Sequence, residues 1–355
     1  MTERSHQARA GGAWGPEPPD WGGHGSVNAR MRTIAIVNQK GGCGKTTTSI
    51  NLAATLAARG LRTLLVDMDP QGHCGAGLGV PEDRIESGIA EALLAEPVGG
   101  ERPESMLWEV ARNLRLAPST VTLAGLEAAR GGLASVSDRD ARLARLLDRL
   151  AHRFDWCIVD CPPTIGLLTF NALRAADEAL VPVETGYFAL KGSERQVATI
   201  EAMAARLGRP LPLHILPTLH RPSAKLAADL YAAIQRRHGA ATLPVTIREH
   251  ECLREAAGFG QPVTEYAPDS EACQDFSALA DWLLAHPVES TRNRSQSAAS
   301  APSPELSPAE PASPRVADLL ARMRAHAGFT PEPSAVAGSA EPAASAAPSD
   351  PENVA

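Results

Sequence analysis

The stretch that decides the fold is "NQKGGCGKTTT", residues 38–48, which follows directly on the apolar run Ile34-Ala35-Ile36-Val37. An apolar strand that runs into glycines and then into a lysine–threonine pair is the sequence form of a phosphate-binding turn. Gly41, Gly42 and Gly44 carry no Cβ, so the backbone there can wrap an anion closely. The helix that the pattern predicts from Lys45 onward aims the free amides of its first turn at the same anion. Lys45 is placed to meet the β- and γ-phosphates of a nucleoside triphosphate, and the Thr46 hydroxyl to hold Mg2+. An ordinary loop of this kind needs one lysine. This one has a second, Lys40, on the entry side of the glycines.

Working outward, further apolar runs recur along the chain: "RTLLVDMD" (62–69), "LRLAP" (114–118), "WCIVDCP" (156–162), "ALVPV" (179–183), "LHILPT" (213–218) and "ATLPVTI" (241–247). Helical patterns at 45–59, 137–152, 190–207 and 224–238 lie between them. Alternating strands and helices at this spacing predict an α/β fold, a mostly parallel twisted sheet with helices on both faces, of the P-loop NTPase type. Aromatic residues make up only 4% of a chain that is 44% apolar, so the core must be built from Ala, Val, Leu and Ile. Two of the runs end in carboxylates, Asp67 with Asp69, and Asp160. In such sheets ligands bind beyond the carboxyl ends of the strands, so these side chains are expected at the phosphate site. Asp160 is then the natural holder of Mg2+ through water.

Composition bounds the rest. The formal charge is −7, and between Met31 and His286 there are 26 Lys and Arg against 30 Asp and Glu, a net −4. That excludes a surface that is basic all over, though not a local patch. The six cysteines form no C-x-x-C pair and read as reduced cytosolic thiols. No apolar stretch approaches the roughly 20 residues needed to span a bilayer. Residues 1–30, rich in glycine and proline, read as a disordered extension, with Met31 as an alternative start. Residues 31–287 form the expected globular body, and 288–355, dominated by Ala, Pro, Ser and Glu, a disordered tail. One tail segment differs. In "SPRVADLLARMRAHAG" (313–328), Val316, Leu319, Leu320 and Met323 fall at helical spacing, which predicts a short amphipathic helix at about 315–326.

Three segments together, "KGGCGKTTT" (40–48), "LLVDMDPQGH" (64–73) and "DWCIVDCPPTIGLLTFNALRAADEALVPV" (155–183), resemble the ParA-type partition ATPases. These belong to the deviant Walker A group that also contains MinD, and the resemblance extends over about 32–286. It implies an ATPase that hydrolyses ATP to ADP and phosphate with Mg2+. It further implies that Lys40 reaches across an ATP-bound sandwich homodimer to the phosphates of the opposite subunit, and that Asp69 orients the attacking water. The catalytic set is then Lys40, Lys45 and Asp69. The nucleotide is held by Gly41, Gly42, Cys43, Gly44, Lys45, Thr46 and Thr47, with Thr47 at the α-phosphate. The metal is held by Thr46 and, through water, by Asp160. Asp67 would support metal and loop from behind, and Pro162 and Pro163 would stiffen the segment after Asp160.

The same resemblance implies a ParB-like or cargo adaptor protein as partner, non-specific DNA as a second, and a cytoplasmic location that becomes nucleoid-associated where DNA is bound. A membrane partner is not expected. The chain departs from the family at its basic positions. The segment "TIREHECLREAAGFGQPVTEYAP" (246–268) follows the pattern I-P-R-N-x-R-L-x-E-A-x-x-x-G-x-P at Ile247, Leu253, Glu255, Ala256, Gly260 and Pro262, but has Glu249 and Cys252 at its arginines. In "LPTLHRPSAKL" (216–226) Ser223 replaces another, while Lys225 is kept. Every cation fewer against the phosphate backbone weakens non-specific DNA binding, unless Arg221, Arg236, Arg237, Arg248 and Arg254 rebuild a patch. The rival readings are a MinD-like membrane-cycling ATPase, for which the tail helix would be the anchor, and a P-loop small-molecule kinase or ligase.

Overall fold

Five-residue runs with no exposed position, such as Thr63–Asp67 and Trp156–Asp160, suit strands covered on both faces, and that is how the computed structural model folds them. The strands are β1 (Arg32–Ile36), β2 (Thr63–Asp67), β3 (Trp108–Ala111), β4 (Leu114–Ala117), β5 (Trp156–Asp160), β6 (Glu178–Glu184) and β7 (Leu213–Thr218). They form one sheet in the order β3-β4-β2-β5-β1-β6-β7. All pairings are parallel except β3 with β4. The structure describes residues 30–95, 102–126, 132–186 and 189–288. The expected tail helix and nearly all of the N-terminal extension lie outside them.

Alternation along β1 shows how the sheet divides the core. Ile34 and Ile36 point to one face, where α1 (Lys45–Ala58) lies, and Ala35 and Val37 to the other. The second face carries α2 (Arg142–Leu150), α3 (Leu167–Ala175) and α4 (Ala189–Arg206). Beyond β7 come α5 (Lys225–His238), α6 (Glu251–Gly258) and α7 (Glu271–Ala285). Helix α7 returns to the first face, where Phe276, Leu279 and Leu283 are buried with Leu52 and Leu56 of α1. Burying a side chain of this size contributes about 1.5–3 kcal/mol, so the C-terminal helix is an integral part of the core.

Two elements differ from the sequence expectation. Residues 108–111 form an antiparallel edge strand, because Asn113 takes a left-handed turn (φ 62°) that folds β3 back onto β4. "ATLPVTI" does not become a strand. Leu243 N–H donates to the Ile215 carbonyl, but the next bond of a parallel ladder would have to come from residue 217. Pro217 has no N–H, so the ladder breaks there; contact resumes only where the Ile247 N–H donates to the Pro217 carbonyl, and the two segments share isolated bridges at Ile215–Thr242 and His220–Arg248 in place of a strand pair.

The register fixes the site. Ile36 and Asp67 both sit opposite Asp160, so the loop leaving β1 and both strand-terminal carboxylates emerge at one edge of the sheet.

Candidate active site

Helix α1 starts at Lys45 behind Gly44, whose left-handed backbone (φ 88°) turns the loop and offers no side-chain cap. The first-turn amides are therefore left for a ligand. Gly42 is also left-handed (φ 73°), and a Cβ built on Gly41 or Gly42 meets nothing within 4 Å. Both line a cavity of about 530 Å3 that also receives Gly44, Lys45, Thr46 and Thr47. That space suits a phosphate chain. Cys43 is different: its side chain is fully buried, and its carbonyl accepts from Thr218 Oγ1 at 2.8 Å. Only its backbone can serve a nucleotide.

The carboxylates meet behind the loop. Asp160 is fully buried and accepts hydrogen bonds from Thr46 Oγ1 and from Ser49 Oγ, each at 2.7 Å. Burial nonetheless raises its pKa against these donors. Asp67, also fully buried, accepts from the backbone amides of Asp69 (3.1 Å) and Cys74 (3.0 Å). Burial first, and then the neighbouring Asp160, push it well above the usual carboxylate range. Two such groups side by side disfavour each other's ionisation, and a divalent cation at Thr46 would relieve that. The threonine and carboxylate oxygens suit a hard ion such as Mg2+. Asp69 lies at the cavity wall, where its Oδ1 accepts from the Gln71 amide at 3.0 Å. Pro163 lines the same cavity.

The two lysines stand apart. Lys45 is largely buried, and its ammonium donates to the Lys40 carbonyl at 3.3 Å, inside the curl of the loop. Lys40 extends outward and pairs with Glu184 at the end of β6.

Three residues at the site escaped the sequence reading. Ser49 follows Thr46 by three positions on α1, one helical turn along the same face, and that spacing was a usable signal. Cys74 places its thiol 3.5 Å from Asp160 Oδ2, where burial keeps it protonated as a donor. No local pattern marks it. Cys74, Asp67 and Asp160 offer ligand atoms within 4.8 Å of one another, but each is already committed to hydrogen bonds within the protein. The third is Glu184.

The cavity's far wall comes from Ile247, Arg248, Glu249, His250, Leu253 and Arg254. Here the arginines weighed as a basic patch are mostly tied. Arg221 and Arg254 both donate to Glu249, which they hold down to about 2. Arg248 pairs with Asp275 at 2.8 Å and Arg237 with Glu194 at 2.6 Å. Arg236, Ser223 and Lys225 are exposed.

Comparison with known proteins places the chain among nucleotide-binding relatives. The family described as an AAA domain matches residues 31–212. The chain is 40% identical over 256 residues to the chromosome partitioning protein ParA of Myxococcus xanthus, across 71% of this chain and 88% of that protein. It is 34% identical over 256 residues to the sporulation initiation inhibitor protein Soj of Bacillus subtilis, across 72% and 99%. A crystal structure of cobyrinic acid a,c-diamide synthase from Mycobacterium smegmatis, with bound ATP analog and magnesium, superimposes with a TM-score of 0.59. It is 32% identical and covers 72% of this chain and 95% of its own. With a matching AAA domain, a ParA relative and a solved relative that holds an ATP analog and magnesium, the chain is an ATPase that uses ATP and Mg2+. At 34–40% identity over most of their length to ParA and Soj, the chain belongs to the ParA/Soj family of P-loop partitioning ATPases.

Proposed function

We propose that this positioning ATPase works by an ATP-gated dimer that moves DNA or another large cargo inside the cytoplasm, with slow hydrolysis stimulated by a cargo-bound, ParB-like adaptor. The observation that carries the reading is the division of labour between the lysines. Lys45 occupies the loop and suffices for the phosphates of its own subunit. Lys40 is half-exposed and paired with Glu184 outside that loop, a position from which it can be turned toward a second subunit. A cation supplied in trans acts only when two ATP-loaded subunits meet, so nucleotide state becomes dimer state.

In this reading the loop amides and Lys45 hold the triphosphate and Thr47 reaches its α-phosphate; Thr46 and, through water, Asp160 would hold Mg2+, which would supply charge neutralisation to the transferred phosphoryl group. Asp67 keeps the 69–74 turn in place through the Asp69 and Cys74 amides. Asp69 orients a water oxygen toward the γ-phosphorus. As that oxygen bonds to phosphorus, the bond to the β,γ-bridging oxygen breaks, the proton released by the water passes to a phosphate oxygen, and ADP and phosphate leave.

DNA is the weaker part of the reading, since four of the five weighed arginines already have carboxylate partners. Nucleoid association follows only where DNA is bound. The membrane-cycling alternative depends on residues 315–326, outside the described part; among the described residues no helix is long and apolar enough to cross a membrane. The small-molecule ligase reading is favoured by the name of one solved relative.

Light scattering with a non-hydrolysable ATP analogue against ADP tests the dimer, and filter binding of non-specific duplex at low salt tests DNA. The reading expects an ATP-specific dimer and weak, salt-sensitive, ATP-dependent DNA retention. A monomer with every nucleotide would refute it. ATP-dependent flotation with anionic liposomes would favour the membrane alternative, and turnover requiring a small acceptor the ligase.

A further inference from the structure

Glu184 lies 144 residues from Lys40, and that separation is also the register of the neighbouring strands. Ile34 pairs with Glu178 and Ile36 with Leu180. Beyond the end of β1 the same offset continues through side chains: Asn38 Nδ2 donates to the Pro182 carbonyl at 2.5 Å, and the Lys40 ammonium to Glu184. Asn38 Oδ1 accepts from the Lys40 amide at 2.8 Å, and Gln196 Oε1 of α4 from the Gln39 amide at 3.1 Å. The arm of the loop that carries the second lysine is thus laid along β6 in register. Lys40 meets Glu184 because the sheet puts it there.

The neighbouring groups share one property. Lys45 rests on a carbonyl of its own loop, Thr46 on Asp160 and Lys40 on Glu184. Each group aimed at phosphate or metal has a partner within the subunit to leave. For Lys40 that partner is a carboxylate, and the pair is partly solvated, with side-chain exposures of 50% for Lys40 and 33% for Glu184. An exposed ion pair of this kind is weak. It can bias where the ammonium sits, yet a triphosphate, with several negative charges in place of one, outcompetes it.

We infer that Glu184 is a positioning residue that parks Lys40 within its own subunit and so raises the nucleotide and protein concentration needed for dimerisation. The inference rests on the reading that Lys40 acts across the dimer. Two latches must open per dimer, so the factor for one subunit enters squared. At the strength of exposed pairs, the dimer of Glu184→Gln should form about 2- to 30-fold more tightly than wild type.

The test uses the full chain with a non-hydrolysable ATP analogue, comparing wild type, Glu184→Gln, Glu184→Asp and Lys40→Ala by sedimentation, at low and high salt. A second readout, on nucleotide-free protein, is the rate at which an amine-acylating reagent modifies Lys40, followed by mass spectrometry. Expected are tighter association and faster Lys40 modification for Glu184→Gln, a gain that shrinks in high salt, and a return toward wild type for Glu184→Asp. Lys40→Ala should fail to dimerise. If Lys40→Ala dimerises normally, the trans role of Lys40 falls, and the latch with it. If Lys40→Ala fails but Glu184→Gln associates no better than wild type, the trans role stands and the latch alone is overturned. Unchanged Lys40 modification in Glu184→Gln would likewise sink it, because the ion pair would then not exist in solution.

Discussion

Two glycines in this chain differ in place but not in backbone state, and that makes a controlled test of the phosphate loop. Gly42 sits in the loop at φ 73°, and Gly60 just beyond the end of α1 at φ 86°; a Cβ built on either meets nothing within 4 Å. Alanine at either position keeps a left-handed backbone, which costs an L-residue roughly 1–2 kcal/mol. Part of this, about 0.4–1 kcal/mol, is offset by the stiffer unfolded chain. Both variants should therefore lose about 1 kcal/mol and melt a few degrees lower, at roughly 2–4 °C per kcal/mol for a body of this size.

Only Gly42 lines the cavity. A methyl group there stands where phosphate oxygens must approach the loop amides. Losing even two such charge-assisted bonds, at about 1.5–3 kcal/mol each, weakens binding by two orders of magnitude or more. Thermal melts and titration with a fluorescent ATP analogue measure the two effects separately. Gly60→Ala should bind like wild type, and Gly42→Ala should not. If Gly42→Ala, folded and equally stable, bound the analogue within about threefold of Gly60→Ala, the loop would not be gripping phosphate at Gly42, and the site would need to be redrawn.

Lys45→Ala should lose ATP binding altogether, since the loop then holds a triphosphate without the cation at its centre; equilibrium dialysis with ATP and Mg2+ checks this. Asp69→Ala should bind ATP and accumulate as the ATP-bound dimer while phosphate release stops, because orienting water contributes to the transition state and little to the ground state; wild-type turnover in a phosphate assay would move that role elsewhere. Glu249→Gln probes the ion cluster on the cavity wall. The carboxyl is held at about 2 against an ordinary 4.5, so its contribution is present above about pH 4.5 and fades as pH falls toward about 2. The variant should melt no more than a few degrees below wild type at pH 7, since Arg221 and Arg254 are exposed, and the gap should close in melts toward pH 3.

The sequence reading succeeded where the physics is local. Glycines before a lysine–threonine pair predicted a tight turn into a helix, which Gly42 and Gly44 make with left-handed backbones ahead of Lys45, and buried parallel strands announce themselves as largely apolar runs, as in β2 and β5. It failed on edges. The β3 strand, "WEVA", has no fully buried position and so no run to detect, and its only local signal was the left-handed Asn113 of the hairpin. "ATLPVTI" had the run but not the partner, because Pro217 on the adjacent strand lacks the donor a ladder needs. A strand is a property of two segments, and a single sequence shows one at a time.

The site divides along the same line. That Asp67, Asp69 and Asp160 would gather at one edge of the sheet was legible because they stand at strand ends, wherever the strands fall in the order. Glu184 was not. Its meeting with Lys40 requires β1 to lie between β5 and β6 with one register and no other. A slip of one residue between β1 and β6 would turn Glu184 to the opposite face and leave Lys40 beside a different side chain. That register is held from within the core: Asp177 accepts from the Thr33 amide at 2.8 Å, and Glu178 takes Arg32 at 2.6 Å, at the far end of the same two strands. The pairing that positions the second lysine is therefore set by buried contacts at the other end of β1, and changes there, such as Asp177→Ala, should reach Lys40 without touching the nucleotide loop.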